Sequence, residues 1–145
     1  MTHPIPRSAV VSAARSMLGT PWKHQGRSTR KVDCVGLVYV VAEKIGALPE
    51  GVVIPPYRRE PDGSVQSYFE KYMDRVSRTN LKPGTVLLHS FAGSPFHASI
   101  VVDPDAGAII HAYASRRAVV LDLFKGRKNG MILHAAYDFK GVTDG

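Results

Sequence analysis

The segment Asp33-Cys34-Val35-Gly36-Leu37-Val38 holds the only cysteine of the chain and begins an apolar run that reaches Ile45. Apolar residues in this run recur on more than one face of a helix, which is typical of a helix buried on several sides. Asp33 is a preferred N-cap residue type, and Gly46 is a preferred residue type just after a helix. We therefore predict a central helix over residues 34–45.

Cys34 is placed at the N-terminus of this predicted helix. The first amide N–H groups of a helix have no partner within it, and the aligned peptide dipoles leave partial positive charge there. Both effects favour a thiolate, so we expect a pKa below the usual ~8.5 of a cysteine. The alternative is a small core residue, as most free cysteines are. Gly36 favours the interpretation of Cys34 as a reactive thiol, because a residue without a side chain lets another backbone approach the first turn of the helix. Asp33 is expected to cap the helix.

Helical patterns fill the first half of the chain and strand patterns the second half. Two further helices are predicted over residues 7–18 and 64–76, and residues 47–63 are predicted to be irregular. Strands are predicted over residues 85–89, 97–102, 107–112, 118–121 and 131–139. Helices followed by antiparallel strands indicate an α+β fold, with a meander packed against the central helix. The length of 145 residues fits one domain, residues 1–145.

The composition excludes several classes of protein. The chain is 44% hydrophobic and 21% charged, as globular proteins usually are. The net charge of +7 is spread over small basic groups, so we expect no specific nucleic-acid binding, although polyanions such as anionic wall polymers would be attracted. The start of the chain has no secretory signal pattern and no run approaches the ~18 apolar residues of a membrane span, so synthesis in the cytoplasm is expected.

Two histidines accompany strand patterns downstream of Cys34. His97 begins the apolar segment His97-Ala98-Ser99-Ile100, and His111 interrupts Ala108-Ile109-Ile110-His111-Ala112. Either histidine could be an ordinary strand residue, but a half-buried imidazole needs a hydrogen-bond partner. We interpret His97 as the base that takes the Cys34 proton, and His111 as the residue that orients the His97 ring. No zinc-helix pattern occurs, so no metal or cofactor is expected.

A loop before the central helix supplies candidate walls for a substrate cleft. Trp22 and His24 lie in Gly19-Thr20-Pro21-Trp22-Lys23-His24-Gln25-Gly26. The plain alternative is a turn whose tryptophan covers the core. Arg27 and Arg30, with Tyr57-Arg58-Arg59 further on, could meet the carboxylates of an acidic substrate, or could simply be solvated surface. The candidate substrate-binding residues are Trp22, His24, Asp33 and Gly36.

Taken together, these motifs resemble the NlpC/P60 family of papain-like cysteine peptidases. The resemblance extends from residue 7 to about residue 113 and implies a papain-like fold with a catalytic triad of Cys34, His97 and His111. The family usually has a tyrosine where this chain has Trp22, which offers only an indole N–H. The matching motifs are Gly19-Thr20-Pro21-Trp22 with Gly26, Asp33-Cys34-x-Gly36-Leu37-Val38, Leu81-x-Pro83-Gly84-Thr85, His97-Ala98-Ser99-Ile100 and Ile110-His111-Ala112.

The resemblance also implies a substrate and a setting. Members hydrolyse peptide bonds in peptidoglycan stem peptides, often between D-glutamate and diaminopimelate. The compact domain is most similar to members encoded in phage tail modules and gene-transfer-agent-like clusters, so action at the cell wall or within a phage-tail-like particle is expected, with tail subunits as partners. Two alternatives stay open: a thiol amidase or acyltransferase on the same fold, and a non-catalytic tail-tip subunit that binds the wall.

Overall fold

The computed structural model describes residues 4–48, 52, 63–91, 94–128 and 130–144. Helices in this part of the chain are α1 (Arg7–Ser16), α2 (Cys34–Ile45) and α3 (Ser64–Tyr72). Strands are β1 (Ile5–Pro6), β2 (Met73–Val76), β3 (Val86–Phe91), β4 (Ser94–Asp103), β5 (Ala108–Tyr113), β6 (Ala118–Leu123), β7 (Arg127–Lys128), β8 (Met131–Phe139) and β9 (Val142–Thr143). The segment Tyr57-Arg58-Arg59 lies outside the described residues.

The central helix α2 has the predicted bounds, and both of its ends have a local cause. At its start, an Asp33 carboxylate oxygen accepts the Gly36 N–H at 2.8 Å, which confirms the predicted N-cap. At its end, Gly46 adopts a left-handed conformation with φ 74°, which glycine reaches without steric cost. Most of the residues of α2 are buried, as a helix that packs on several sides requires.

The large sheet has the order β2-β8-β3-β4-β5-β6, with β7 added beside β8. All of its strand pairs are antiparallel, and β3 to β6 form the predicted meander. The last long strand, β8, pairs with β3 on the other side of the meander. The papain-like α+β fold expected from the resemblance is therefore confirmed.

The two faces of the sheet carry different packing. Leu88, Ile100 and Ile110 belong to the main core, which includes the residues of α1 and α2. Leu87, Val101 and Ile109 belong to a smaller cluster with Phe124 and Met131. Because side chains alternate along a strand, His97 and His111 point away from the main core, on what we call the far face.

Several boundaries differ from the sequence prediction. Helix α3 ends at Tyr72, and the four residues after it form strand β2, which pairs with the end of β8. The predicted helix up to residue 76 was therefore wrong, because pairing with β8 outweighs the local helical pattern. Strand β6 continues two residues beyond the predicted end, to Leu123. None of the described helices is long and apolar enough to span a membrane.

Candidate active site

The thiol of Cys34 lies against the backbone of strand β4. Its Sγ donates a hydrogen bond to the carbonyl oxygen of Phe96 at 3.5 Å, and the nearby Ala98 N–H acts to lower the pKa of the thiol. Phe96 and Ala98 are the residues on either side of His97. The helix that carries the candidate nucleophile is thus joined to the strand that carries the candidate base.

The loop before α2 is held tightly against the first turn of the helix. The Gln25 N–H donates to one oxygen of Asp33 at 2.7 Å, while the other oxygen accepts the Gly36 N–H. The Asp33 N–H donates back to the Gly26 carbonyl at 3.3 Å. A Cβ on Gly36 would overlap that same carbonyl oxygen, so only glycine allows this contact.

These contacts change the interpretation of Asp33 and Gly36. Asp33 is only 4% exposed, and both of its carboxylate oxygens accept backbone N–H groups. Gly36 is buried, and the backbone that approaches it belongs to Gly26 of this chain, not to a substrate. Both residues join the loop to the helix, and we do not retain them as substrate contacts.

The two histidines form a hydrogen-bonded row on the far face. Nε2 of His97 lies 2.8 Å from Nδ1 of His111, and both residues are buried. Nε2 of His111 lies 3.1 Å from Oδ2 of Asp122, whose Oδ1 accepts from Nζ of Lys128 at 2.5 Å. The pairing expected between His97 and His111 is present, and it continues through Asp122 to Lys128 at the edge of the sheet.

Burial keeps the candidate nucleophile and base uncharged. Burial, and then the negative charge of Asp33, raise the pKa of the Cys34 thiol to about 12, although the N–H groups of Ala98, Val35 and Cys34 itself lower it. The expected pKa below 8.5 is therefore wrong for this structure, because burial outweighs the helix N-terminus. Burial also places the pKa of His97 well below 6.5, helped by the neighbouring His111.

The pKa values of His111 and Asp122, the next two members of the row, are each subject to opposing effects. Burial lowers the pKa of His111, although Asp122 acts to raise it. Burial would raise the pKa of Asp122, but its hydrogen bonds with Lys128, the Leu123 N–H and His111 outweigh that effect and lower it. Burial therefore favours the neutral form of both imidazoles, while the hydrogen bonds at Asp122 favour its carboxylate form.

Aromatic rings surround the row. The Tyr113 ring stacks on His111, with centroids 4.9 Å apart and planes within 13°. His89 lies opposite His97 on β3, with ring centroids 5.7 Å apart, and its Nε2 lies 2.8 Å from Oγ of Ser99. These rings limit the orientations open to the His97 and His111 side chains.

Residues 19–142 match the sequence model of the NlpC/P60 family. This chain belongs to the NlpC/P60 family. Solved structures of other family members have the same fold. The NlpC/p60 domain of the peptidoglycan hydrolase SagA superposes with a TM-score of 0.63 at 21% identity, covering 91% of this chain and 97% of that one. No match was found among curated protein sequences.

Two longer relatives give a similar result. An NlpC/P60 family protein from Bacillus cereus ATCC 10987 has a TM-score of 0.70 at 20% identity, covering 94% of this chain and 41% of that one. The peptidoglycan hydrolase RipB from Mycobacterium tuberculosis has a TM-score of 0.61 at 22% identity, covering 92% and 64%. This chain spans less than two thirds of either relative. At these identities the likeness establishes the fold.

Trp22 and His24, the loop residues proposed to line a cleft in this NlpC/P60 domain, differ in their surroundings. Trp22 is partly buried and packs against the main core, and its backbone N–H donates to the Arg117 carbonyl oxygen at 2.9 Å. The plain alternative of a tryptophan that covers the core therefore fits its packing. His24 is partly exposed, and its Nε2 lies 3.4 Å from Nε2 of Gln25. Both residues belong to the loop that contacts the first turn of α2.

Asp122 and Lys128, the two members of the row beyond the histidines, were not identified from the sequence. The predicted strand ended before Asp122, so nothing placed this residue beside a histidine. A polar residue in the alternating stretch Ala118–Leu123 is the signal that could have found it. His111 pairs with Val120 across the two strands, which brings Asp122 diagonally next to it on the same face. Within the part of the chain that the structure describes, no cluster of His, Cys, Asp and Glu is arranged to hold a metal ion.

Proposed function

We propose that this protein is a cysteine peptidase that hydrolyses peptide bonds in peptidoglycan stem peptides. The observation that carries the proposal is the contact between the Cys34 thiol and strand β4: Sγ donates to the carbonyl oxygen of Phe96, the residue immediately before the candidate base His97. A hydrogen bond between His97 and His111 supplies the orientation that a general base needs. A purely structural protein has no need of such an arrangement.

The first half of the reaction forms an acyl-enzyme. Sγ of Cys34 attacks the scissile carbonyl carbon while Nδ1 of His97 takes the thiol proton. The carbonyl electron pair moves to the oxygen, which the Cys34 backbone N–H helps to stabilise. Protonated His97 then gives its proton to the leaving amine as the C–N bond breaks, and a thioester on Cys34 remains.

The second half returns the enzyme to its starting state. His97 takes a proton from a water molecule as the water oxygen attacks the thioester carbon. The C–S bond then breaks, His97 returns the proton to Sγ, and the carboxylic acid product leaves. Because Cys34 and His97 begin uncharged, proton transfer accompanies the attack and is not completed before it.

The substrate class rests on the family and on charge. SagA and RipB, which share the fold, are named peptidoglycan hydrolases. Stem peptides carry carboxylates, and the chain carries a net charge of +7. We propose the bond between D-glutamate and diaminopimelate as the first one to test. Action within a phage-tail-like particle remains a prediction from the sequence.

Digestion of purified muropeptides, followed by mass spectrometry of the products, tests the proposal. We expect new stem-peptide fragments with free amino groups, absent when Cys34→Ala is used at the same concentration. Cleavage between glycan and peptide would identify an amidase, and an acylated amine product would identify an acyltransferase. Binding to sacculi without any product from the folded wild-type protein would identify a wall-binding subunit.

A further inference from the structure

We propose that Asp122, anchored by Lys128, is a positioning residue that sets the tautomers of both histidines and leaves Nδ1 of His97 as the proton-accepting nitrogen. The catalytic consequence rests on the proposed function above. The tautomers themselves do not depend on it. The proposal extends the pair of histidines to a row of four side chains that crosses from β4 to β7.

The first step is the bond between Asp122 and His111. An ionised carboxylate can only accept hydrogen bonds, and Oδ2 lies 3.1 Å from Nε2 of His111. That nitrogen must therefore carry a proton. Since burial keeps His111 neutral, its other nitrogen, Nδ1, has a lone pair and can only accept.

The second step transfers this constraint to His97. Nδ1 of His111 lies 2.8 Å from Nε2 of His97, so Nε2 of His97 must carry the proton between them. A neutral imidazole has one N–H, which leaves Nδ1 of His97 unprotonated. That unprotonated nitrogen is what a general base requires, and under the proposed function it is the atom that takes the proton of Cys34.

The third step explains why Asp122 presents Oδ2 to His111. Its other oxygen, Oδ1, receives Nζ of Lys128 at 2.5 Å and the Leu123 N–H at 2.8 Å. Two donors at one oxygen define the orientation of the whole carboxylate. The Asp122 side chain is 17% exposed, so this orientation is protected from most of the solvent. Among the described residues, the titratable rings of His89 on β3 and Tyr113 on β5 also pack against the row.

Asp122→Asn provides the sharpest test. Lys128 Nζ and the Leu123 N–H both donate at the position of Oδ1, so the oxygen of the new amide should occupy that position. The amide NH₂ would then face Nε2 of His111 and force that nitrogen to accept. His111 would donate from Nδ1, Nε2 of His97 would accept, and the proton of His97 would move to Nδ1. Asp122→Ala imposes no such reversal, because water can satisfy His111 in either tautomer.

The tautomers are read directly from long-range ¹H–¹⁵N spectra of the histidine rings, recorded in Cys34→Ala so that no chemistry intervenes. In Cys34→Ala, which is the parent protein here, we expect His97 to carry its proton on Nε2 and none on Nδ1. When Asp122→Asn is added to this parent, we expect the proton on Nδ1 and none on Nε2. A bare Nε2 on His97 in the parent would overturn the proposal. The parent spectrum is sufficient for that outcome even if Asp122→Asn does not fold.

Kinetics separate a positioning role from a structural one. We expect kcat on muropeptides to fall on the order of 10³-fold in Asp122→Asn and about 10-fold in Asp122→Ala, with KM little changed in both. A role in folding alone predicts equal losses, or a larger loss in Asp122→Ala, and would overturn the proposal. Asp74→Asn is the matched control, since Asp74 is an exposed strand residue paired with Lys140 at 2.8 Å. It should match wild type.

The two parts of the experiment distinguish two failures. Expected tautomers in Cys34→Ala, together with a wild-type protein that cleaves no muropeptide, would count against the proposed function and leave the row intact. Tautomers that do not change in folded Asp122→Asn would overturn the row even if wild type is an active peptidase. Lys128→Met retains the carboxylate, so it should retain the parent tautomers, and a reversal there would also contradict the proposal.

Discussion

Cys34 is surrounded by groups that keep its proton on the sulfur. The thiol is partly buried and bonded to the backbone of β4, Asp33 adds negative charge beside it, and burial favours the neutral form of His97. The helix N-terminus and three backbone N–H groups act in the opposite direction but do not prevail. In the absence of substrate the site therefore holds a thiol and an imidazole and not an ion pair.

Alkylation of Cys34 should accordingly be slow at neutral pH. Iodoacetamide reacts with the thiolate, so its rate should keep rising above pH 8.5, in line with the pKa of about 12. Mass spectrometry of the labelled peptide gives the rate, and Cys34→Ala supplies the unlabelled blank. Rapid labelling that levels off below pH 8.5 would contradict this environment.

The two histidines should contribute unequally to turnover. His97 is the proposed base, while His111 acts through it, so kcat on muropeptides should fall further in His97→Ala than in His111→Ala. Losses on the order of 10²-fold to 10⁴-fold are usual for a general base, and members of one unit are not additive. Circular dichroism of each variant verifies folding. Near wild-type turnover by His97→Ala would refute the assignment.

At the scale of elements, the contact between the loop and α2 positions the thiol. Gly26 lies against Gly36, and the Asp33 carboxylate bridges the loop to the helix. The loop, the N-cap and the first turn thus form one hydrogen-bonded unit. Any displacement of the loop would shift the start of α2 relative to β4.

Gly36→Ala should damage this unit. The added methyl group overlaps the Gly26 carbonyl oxygen, and overpacking of this kind costs about 1–3 kcal/mol. Urea unfolding measures the loss, and kcat should fall as well because Cys34 moves. Gly46→Ala is the matched comparison: nothing lies within 4 Å of its Cβ, so it carries only the backbone strain of a positive φ. A Gly36→Ala protein with wild-type stability and turnover would contradict this close packing of Gly26 on Gly36.

The basic residues of the same loop are candidates to bind acidic stem peptides. Arg30 is exposed and Arg27 is partly exposed, close in sequence to the first turn of α2. Replacing both by Gln should raise KM for acidic muropeptides more than for amidated ones, with kcat less affected. An equal KM for the two substrate types, before and after replacement, would identify this charge as ordinary solvated surface.

At the scale of the whole molecule, several histidine side chains are buried on the far face of the sheet, where the neutral imidazole is favoured. His89, His97 and His111 are all buried, and burial lowers the pKa of each. For His89 the pKa falls to about 3. In the unfolded chain these groups bind protons near pH 6.5, so acid favours unfolding.

Stability should therefore decrease as the pH falls below 6.5. The contribution of the neutral histidines is fully present above their unfolded pKa and is lost as the pH falls through the folded values, towards pH 3 for His89. Urea unfolding at pH 7.5 and pH 5 measures this loss before most carboxylates titrate. His89→Gln should reduce the difference between the two conditions. A free energy of unfolding that is equal at both pH values would contradict the buried neutral state.

The sequence by itself determined the features with local causes. The bounds of α2 follow from a capping aspartate, an apolar run and a terminal glycine, and the meander follows from alternating strands between turn residues. The motifs around Cys34, His97 and His111 also indicated the family. The catalytic roles of these three residues stay predictions, because no local pattern demonstrates chemistry.

Only the tertiary structure decided the features that depend on distant residues. Pairing with β8 turned the residues after Tyr72 into a strand, although their local pattern is helical. The pKa of Cys34 depends on burial against β4, more than sixty residues away, which outweighs the helix N-terminus. Asp122 meets His111 through strand register, which spacing along the chain does not reveal. Short-range preferences define elements, whereas burial and register define the electrostatics of the site.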